Sequence, residues 1–451
     1  MSTLLRLATA GSVDDGKSTL VGRLLFDSKS VLADQLESVE RVSRDRGLSG
    51  ADLALLTDGL RAEREQGITI DVAYRYFATA KRTFILADCP GHVQYTRNTV
   101  TGASTADVVV LLIDARKGLL KQTRRHLAVA SLLRVPNVVV AINKIDLVGY
   151  SHARYEELHD DIAAAARALG IESVTSIPVS ALEGANVVER SAHTPWWEGP
   201  TLLSYLESVP ADGFAVSGSA AGGSAAGGTA LPTSEQPFRF PVQSVIRPQL
   251  AGGAEYRDYR GYAGRVASGT VRIGDPVTVL PSGTTTTVSG IDLLGARVSQ
   301  IFAGQSATLR LTDELDVTRG DSIVSGELPV LTQDVQGTVA WLAEQPLRPG
   351  ARLLLKHTTR TTTAIVRDIG GTLNLDSARL EPAEHLALND IGSVTLRLAS
   401  PIAADEYARN RSTGSFLLID QASGATLAAG MVGNALTGAV HPETRPLNYA
   451  I

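Results

Sequence analysis

The chain has 451 residues, 44% hydrophobic and 20% charged, with a formal net charge of −5, an ordinary globular composition with room for about two to four domains. One cysteine, Cys89, excludes an internal disulfide, and no segment approaches the roughly 18 uninterrupted apolar residues of a membrane helix. The acidic balance argues against a surface built mainly to hold nucleic acid, and the N-terminal run is no signal peptide, which points to the cytoplasm.

A short apolar strand at Leu4–Ala10 runs into Gly11-Ser12-Val13-Asp14-Asp15-Gly16-Lys17-Ser18-Thr19, and Leu20, Val21, Leu24 and Leu25 then start a helix. Strand, Gly-x4-Gly-Lys-Ser and helix in that order form a phosphate-binding loop. Gly11 and Gly16 permit backbone angles that residues with a side chain resist, so the loop can turn its N–H groups around a polyphosphate. Lys17 would reach the β- and γ-phosphates, and the Ser18 hydroxyl would sit on Mg2+. The helix N-terminus adds partial positive charge.

A polar, helix-favouring stretch from Ser28 to Arg64 leads to Gly67-Ile68-Thr69, which offers Thr69 to Mg2+ and the γ-phosphate. Val72–Thr79 and Thr83–Ala87 read as a hairpin ending in Asp88-Cys89-Pro90-Gly91-His92. Asp88 would stand near the metal. The Gly91 N–H would bond the γ-phosphate, and hydrolysis would release it. His92, next in the chain, is placed to orient the attacking water, with Val13 and Ile68 as an apolar gate. Asp14 would hold a monovalent cation or simply cap the loop.

Val108–Ile113 reads as a buried parallel strand ending at Asp114, followed by a helix over about Thr123–Leu133. Asn137–Ile142 is a second buried strand, ending in Asn143-Lys144-Ile145-Asp146; Ala163–Leu169 is helical; Ser176–Val179 is a last strand ending in Ser180-Ala181-Leu182. An aspartate at 146 can accept from guanine N1 and the 2-amino group. Adenine offers neither, and a buried carboxylate left unpaired is costly. Lys144 would lie over the base, and the Ala181 backbone would bond guanine O6. Four loops in this order read as a nucleotide switch that takes GTP and GDP with Mg2+. Strands alternating with helices predict a doubly wound, mostly parallel sheet, with ligands at the C-terminal strand ends.

Thr201–Val209 closes this first domain, residues 1–209. Residues 210–236 contain the Gly/Ala/Ser-rich run Ser217–Thr229, which has too little apolar surface to order itself and reads as a flexible linker. From Phe238 the pattern is short Val/Ile/Thr-rich runs between Gly and Asp-Pro turns. About 215 such residues are large for one barrel, so two are predicted, at residues 237–330 and 331–451, divided near Leu328–Val335.

The four motifs and the trailing barrels resemble the translational GTPases, elongation factor Tu among them. A closer resemblance is to the GTPase subunits of bacterial sulfate adenylyltransferase, the CysN type. It is carried by Glu63–Phe77, Gln94-Tyr95-Thr96-Arg97-Asn98, Thr101–Asp107, Leu112–Gly118 and Pro195–Leu203. It covers residues 1–210 strongly and the barrels by layout. It implies a partner, a catalytic subunit of the CysD type in a heterodimer or larger assembly, on which ATP and sulfate form adenylylsulfate while GTP hydrolysis here drives the uphill step. Nothing in the sequence marks a sulfate or ATP site. No second Gly-x4-Gly-Lys follows, so the adenylylsulfate kinase activity fused to some relatives is not expected. The alternatives are a translation factor that delivers an RNA, against which the acidic balance weighs, and a GTP-dependent binding switch with no enzymatic partner. No nucleic acid and no membrane are expected.

Overall fold

The structure, a computed structural model, describes residues 3–31, 33–45, 51–56, 71–210, 235–248 and 258–434. Gly67-Ile68-Thr69 and the Ser217–Thr229 run lie outside the described residues. The described residues divide into two compact units, one holding those up to residue 210 together with Leu373–Glu381, the other the remaining described residues from 235 to 434.

The first unit is a six-stranded sheet. In chain order its elements are β1 (Thr3–Gly11), α1 (Lys17–Asp27), α2 (Ala33–Asp45), β2 (Ala73–Ala78), β3 (Arg82–Asp88), α3 (Thr96–Ser104), β4 (Val108–Asp114), α4 (Lys121–Leu132), β5 (Asn137–Asn143), α5 (His152–Ala168), β6 (Val174–Pro178) and α6 (Leu202–Ser208). The strand order is β2-β3-β1-β4-β5-β6, with only the β2–β3 pair antiparallel. All seven residues of β4 are buried, as an apolar run covered on both faces requires. Leu5, Leu7, Phe84, Val110, Leu112, Val139 and Ile177 pack with Leu20, Val21 and Leu24 of α1 and Leu202 and Leu206 of α6 in one core. Each such side chain contributes roughly 1.5–3 kcal/mol by leaving water.

The expected helix at Ala163–Leu169 is longer in the structure. It begins at His152, with the Ser151 hydroxyl accepting from the Arg154 N–H at 3.2 Å. Tyr155, Leu158 and Ile162 supply the buried stripe of its first turns. Its charged residues sit between those positions on the solvent side and mask the period in the sequence.

The second unit holds two closed antiparallel barrels of six strands each. The first consists of Phe238–Ile246, Gly261–Arg265, Pro276–Leu280, Thr284–Leu293, Ser306–Leu311 and Ser322–Ser325, closed where Pro276–Leu280 pairs with Thr284–Leu293. The second consists of Val330–Trp341, Arg352–His357, Arg360–Asn374, Ile391–Ala404, Ser415–Ile419 and Thr426–Val432, closed where Arg352–His357 pairs with Arg360–Asn374. Phe238, Phe240, Tyr262, Ile291 and Leu309 fill the first barrel, and Val339, Leu355, Leu396, Phe416 and Leu418 the second. Closure pairs the edges that open sheets leave exposed. A doubly wound α/β domain followed by two barrels is the architecture expected from the sequence.

Candidate nucleotide-binding site

Each of the motif loops among the described residues follows a strand: Gly11–Gly16 after β1, Asp88–His92 after β3, Asn143–Asp146 after β5 and Ser180–Leu182 after β6. Parallel pairing puts these ends on one edge of the sheet. Thr9 is the register partner of Asp88, and Asp114 of Asn143.

The loop between β1 and α1 depends on two glycines. Gly16 caps α1 in the left-handed region, at φ 92°, and a Cβ there would lie 2.4 Å from Asn143 Nδ2. A Cβ on Gly11 would lie 2.9 Å from the Leu112 carbonyl. Asp14 also has positive φ, 65°. No side chain caps α1, so its first N–H groups are left for a ligand. Lys17 is buried and donates from Nζ to the carbonyls of Gly11 at 2.8 Å and Ser12 at 3.0 Å. Burial lowers its pKa, and the nearby Asp88 and Asp15 carboxylates oppose that shift. Ser18 and Thr19 are half-buried at the helix start, and Val13 is exposed.

Gly91 stands against this loop. A Cβ on it would lie 2.3 Å from Lys17 Nζ and 2.7 Å from the Gly11 carbonyl, so the third motif and the phosphate loop meet at Lys17. Asp88 is buried and accepts from Thr9 Oγ1 at 2.8 Å. His92 is half-buried, its ring edge-on to Tyr95 with centroids 6.1 Å apart.

Two side chains predicted in the site face elsewhere. Cys89 is fully buried, its Sγ 3.6 Å from the Ala87 carbonyl and packed where a Cβ on Gly102 would be; burial pushes its thiol pKa up. It fills the sheet–helix layer, and only its backbone borders the loop. Asp15 is turned inward: one carboxylate oxygen accepts from the Ser12 N–H at 2.7 Å, and burial raises its pKa. Among the described residues, Asp15 Oδ1 and Ser12 Oγ are buried with no hydrogen-bond partner.

The base loop is tied to the phosphate loop. Asn143 Nδ2 donates to the Asp15 carbonyl at 2.7 Å, and Asn143 Oδ1 accepts from the Ala181 N–H at 2.9 Å. Asn143 thus acts as a brace with both amide ends occupied. The Ala181 N–H is committed to that brace, so a guanine O6 would share it or take a neighbouring N–H. Lys144, in the left-handed region at φ 61°, donates to the Asp14 carbonyl and pairs with Asp114 at 3.1 Å. Asp146 carries a buried oxygen, Oδ1, with no partner among the described residues, an acceptor that suits a base edge. Ser180 Oγ accepts from the Glu183 N–H at 3.2 Å, and Leu182 is exposed.

Three residues that the sequence did not place in the site help build it. Thr9 steadies Asp88. Arg23 on α1 donates to the carbonyls of Ala181 and Leu182 and so holds the last loop. Asp114 receives Arg116 Nε at 3.0 Å and Nη2 at 2.7 Å. A carboxylate ending an apolar strand was a readable signal at position 114, as at position 88; for Thr9 and Arg23 only the register and packing show the role.

The residues suit a magnesium ion bound with phosphate. Among the described residues there is no cluster of three or more His, Cys, Asp or Glu able to hold a metal. One carboxylate, Asp88, and the Ser18 hydroxyl suit a small hard cation that takes its other ligands from phosphate and water.

The family model "Elongation factor Tu GTP binding domain" matches residues 2–211, and "GTP-eEF1A C-terminal domain-like" matches residues 334–433. Sulfate adenylyltransferase subunit 1 of Cellvibrio japonicus is 46% identical over 99% of this chain and 89% of its own length. Bifunctional enzyme CysN/CysC of Mycobacterium tuberculosis is 52% identical over 96% of this chain and 67% of its own length. A solved structure of sup35 complexed with GDP shares 25% identity at a TM-score of 0.41, covering 96% of this chain and 94% of that one.

Proposed function

The chain belongs to the sulfate adenylyltransferase subunit 1 family within the elongation factor Tu-type GTPases, and from that premise we propose that it is the GTP-hydrolysing regulatory subunit of an ATP sulfurylase. GTP hydrolysis here drives adenylyl transfer from ATP to sulfate on a partner catalytic subunit of the CysD type, giving adenylylsulfate and pyrophosphate. One observation carries the reading: the phosphate loop, the Gly91 segment and the base loop meet on one sheet edge, linked through Lys17, Asn143 and Lys144. Relatives that match nearly the whole chain are named for sulfate activation, which favours this reading over an RNA-delivering factor.

Gly11–Thr19 cradles the phosphates, with Lys17 on their terminal oxygens. Ser18, Thr69 and Asp88 would hold Mg2+, which would neutralise phosphate charge, and Asp14 would hold a monovalent cation or cap the loop. Asp146 accepts from the guanine edge and Lys144 covers the base. Gly91 senses the γ-phosphate and His92 orients the attacking water. Among the described residues no helix is long and apolar enough to cross a membrane, and a cytoplasmic setting is part of the same reading.

The test uses the complex reconstituted with its catalytic partner, following GTP turnover and adenylylsulfate formation. His92→Ala should retain GTP binding, lose hydrolysis by about 10²-fold or more and lose product in step. Normal adenylylsulfate yield without GTP hydrolysis would sink the proposal.

A further inference from the structure

We infer that Asp114 is a positioning residue for the guanine site: it fixes the Lys144 side chain in its base-covering position before nucleotide arrives. The inference rests on the base-site reading above.

Asp114 ends β4 beside Asn143 of β5, and the Ala115 N–H donates to the Asn143 carbonyl at 2.8 Å. This register sets the carboxylate next to the residue that follows Asn143. The Asp114 side chain is fully buried, while that of Lys144 is 24% exposed and that of Arg116 47%. Four donors converge on it: the Arg116 N–H at 2.9 Å, Arg116 Nε and Nη2, and Lys144 Nζ at 3.1 Å. Burial alone would raise its pKa, but the hydrogen bonds from Arg116 and Lys144 hold it well below the usual carboxylate range. The group is therefore a fixed anion at neutral pH.

Lys144 is anchored at both ends. Its backbone is in the left-handed region, and its ammonium is held by Asp114 and by the Asp14 carbonyl of the phosphate loop. A free lysine would lose considerable rotamer entropy on stacking along a base. Here that order is already present, so binding loses less. Arg116, bidentate on the carboxylate, keeps Asp114 from turning away.

The test is a double-mutant cycle on GDP and GTP affinity in the full chain. Asp114→Asn, nearly isosteric, should weaken both nucleotides equally by about tenfold, the scale of one charged hydrogen bond. Lys144→Ala should do likewise. The double variant should be no weaker than Lys144→Ala alone, because Asp114 acts only through that lysine. Arg116→Ala, half-exposed and so safe for folding, should weaken binding about threefold and have no effect in the Lys144→Ala background. Effects that multiply, to about a hundredfold in the double variant, would overturn the positioning role while leaving the base site intact. Unchanged affinity in Lys144→Ala would overturn the base-site reading itself and this inference with it.

Discussion

A methyl group at Gly16 would meet Asn143 Nδ2, an atom already bonded to the Asp15 carbonyl, in a backbone conformation that an L side chain resists. Relief would require breaking the brace between the phosphate and base loops. Gly16→Ala should therefore lower GDP affinity by at least about 10²-fold, from strain plus a broken buried hydrogen bond. Titration with a fluorescent GDP analogue measures it; an affinity within about threefold of wild type would show that the brace is dispensable. The requirement for glycine at 16 was legible in the sequence from the motif. The identity of the atom it must avoid was not, because Asn143 lies far along the chain and reaches the loop only through the sheet.

Helix α4 passes under the phosphate loop and carries His126, which is buried. Burial, with the charges of Lys17 and Arg125, pushes its pKa down to about 3. The folded chain therefore keeps His126 neutral where the unfolded chain takes a proton, between about pH 6.5 and pH 3. Its contribution to stability is whole above about pH 6.5 and is lost as pH falls through that window, by up to about 1.4 kcal/mol per pH unit. His357 in the second barrel is shifted in the same direction by burial, whereas Asp15, its carboxyl pKa raised by burial, works the other way. Thermal midpoints of the nucleotide-free protein should fall steadily from about pH 6.5 to about pH 4, and His126→Gln should flatten that slope. Equal slopes would mean that His126 is not held neutral. The sequence assigned this helix correctly, but one histidine on an apolar face does not disclose its neighbours.

Across the barrel unit, Arg239 of the first barrel reaches Asp405 after the last residue of Ile391–Ala404 in the second. Both guanidinium bonds are at 2.9 Å, and Thr413 Oγ1 adds a third bond to the carboxylate at 2.6 Å. The side chains are 4% and 14% exposed. Arg239→Met leaves a largely covered carboxylate without its guanidinium partner and should destabilise the barrel unit by up to about 3–5 kcal/mol. Arg409 and Glu327 also pair, at 2.9 Å, but with side chains 70% and 71% exposed; Glu327→Gln should cost less than about 1 kcal/mol. Denaturant unfolding of the two variants compares them, and similar losses would contradict the burial argument.

The sequence by itself determined what is local. A glycine and a lysine at fixed offsets make a phosphate loop, an all-apolar run makes a buried strand, and alternating runs between Gly and Asp-Pro turns make barrels, because each rests on backbone angles and short-range periodicity. The four loop motifs were readable for the same reason, although Gly67-Ile68-Thr69 lies outside the described residues. Tertiary structure alone decided which side chains face the site. It turned Cys89 and Asp15 inward, committed the Ala181 N–H to Asn143, and set Asp114 on Lys144. Those outcomes follow from strand register and close packing between segments far apart in the chain, and no spacing along the sequence encodes them.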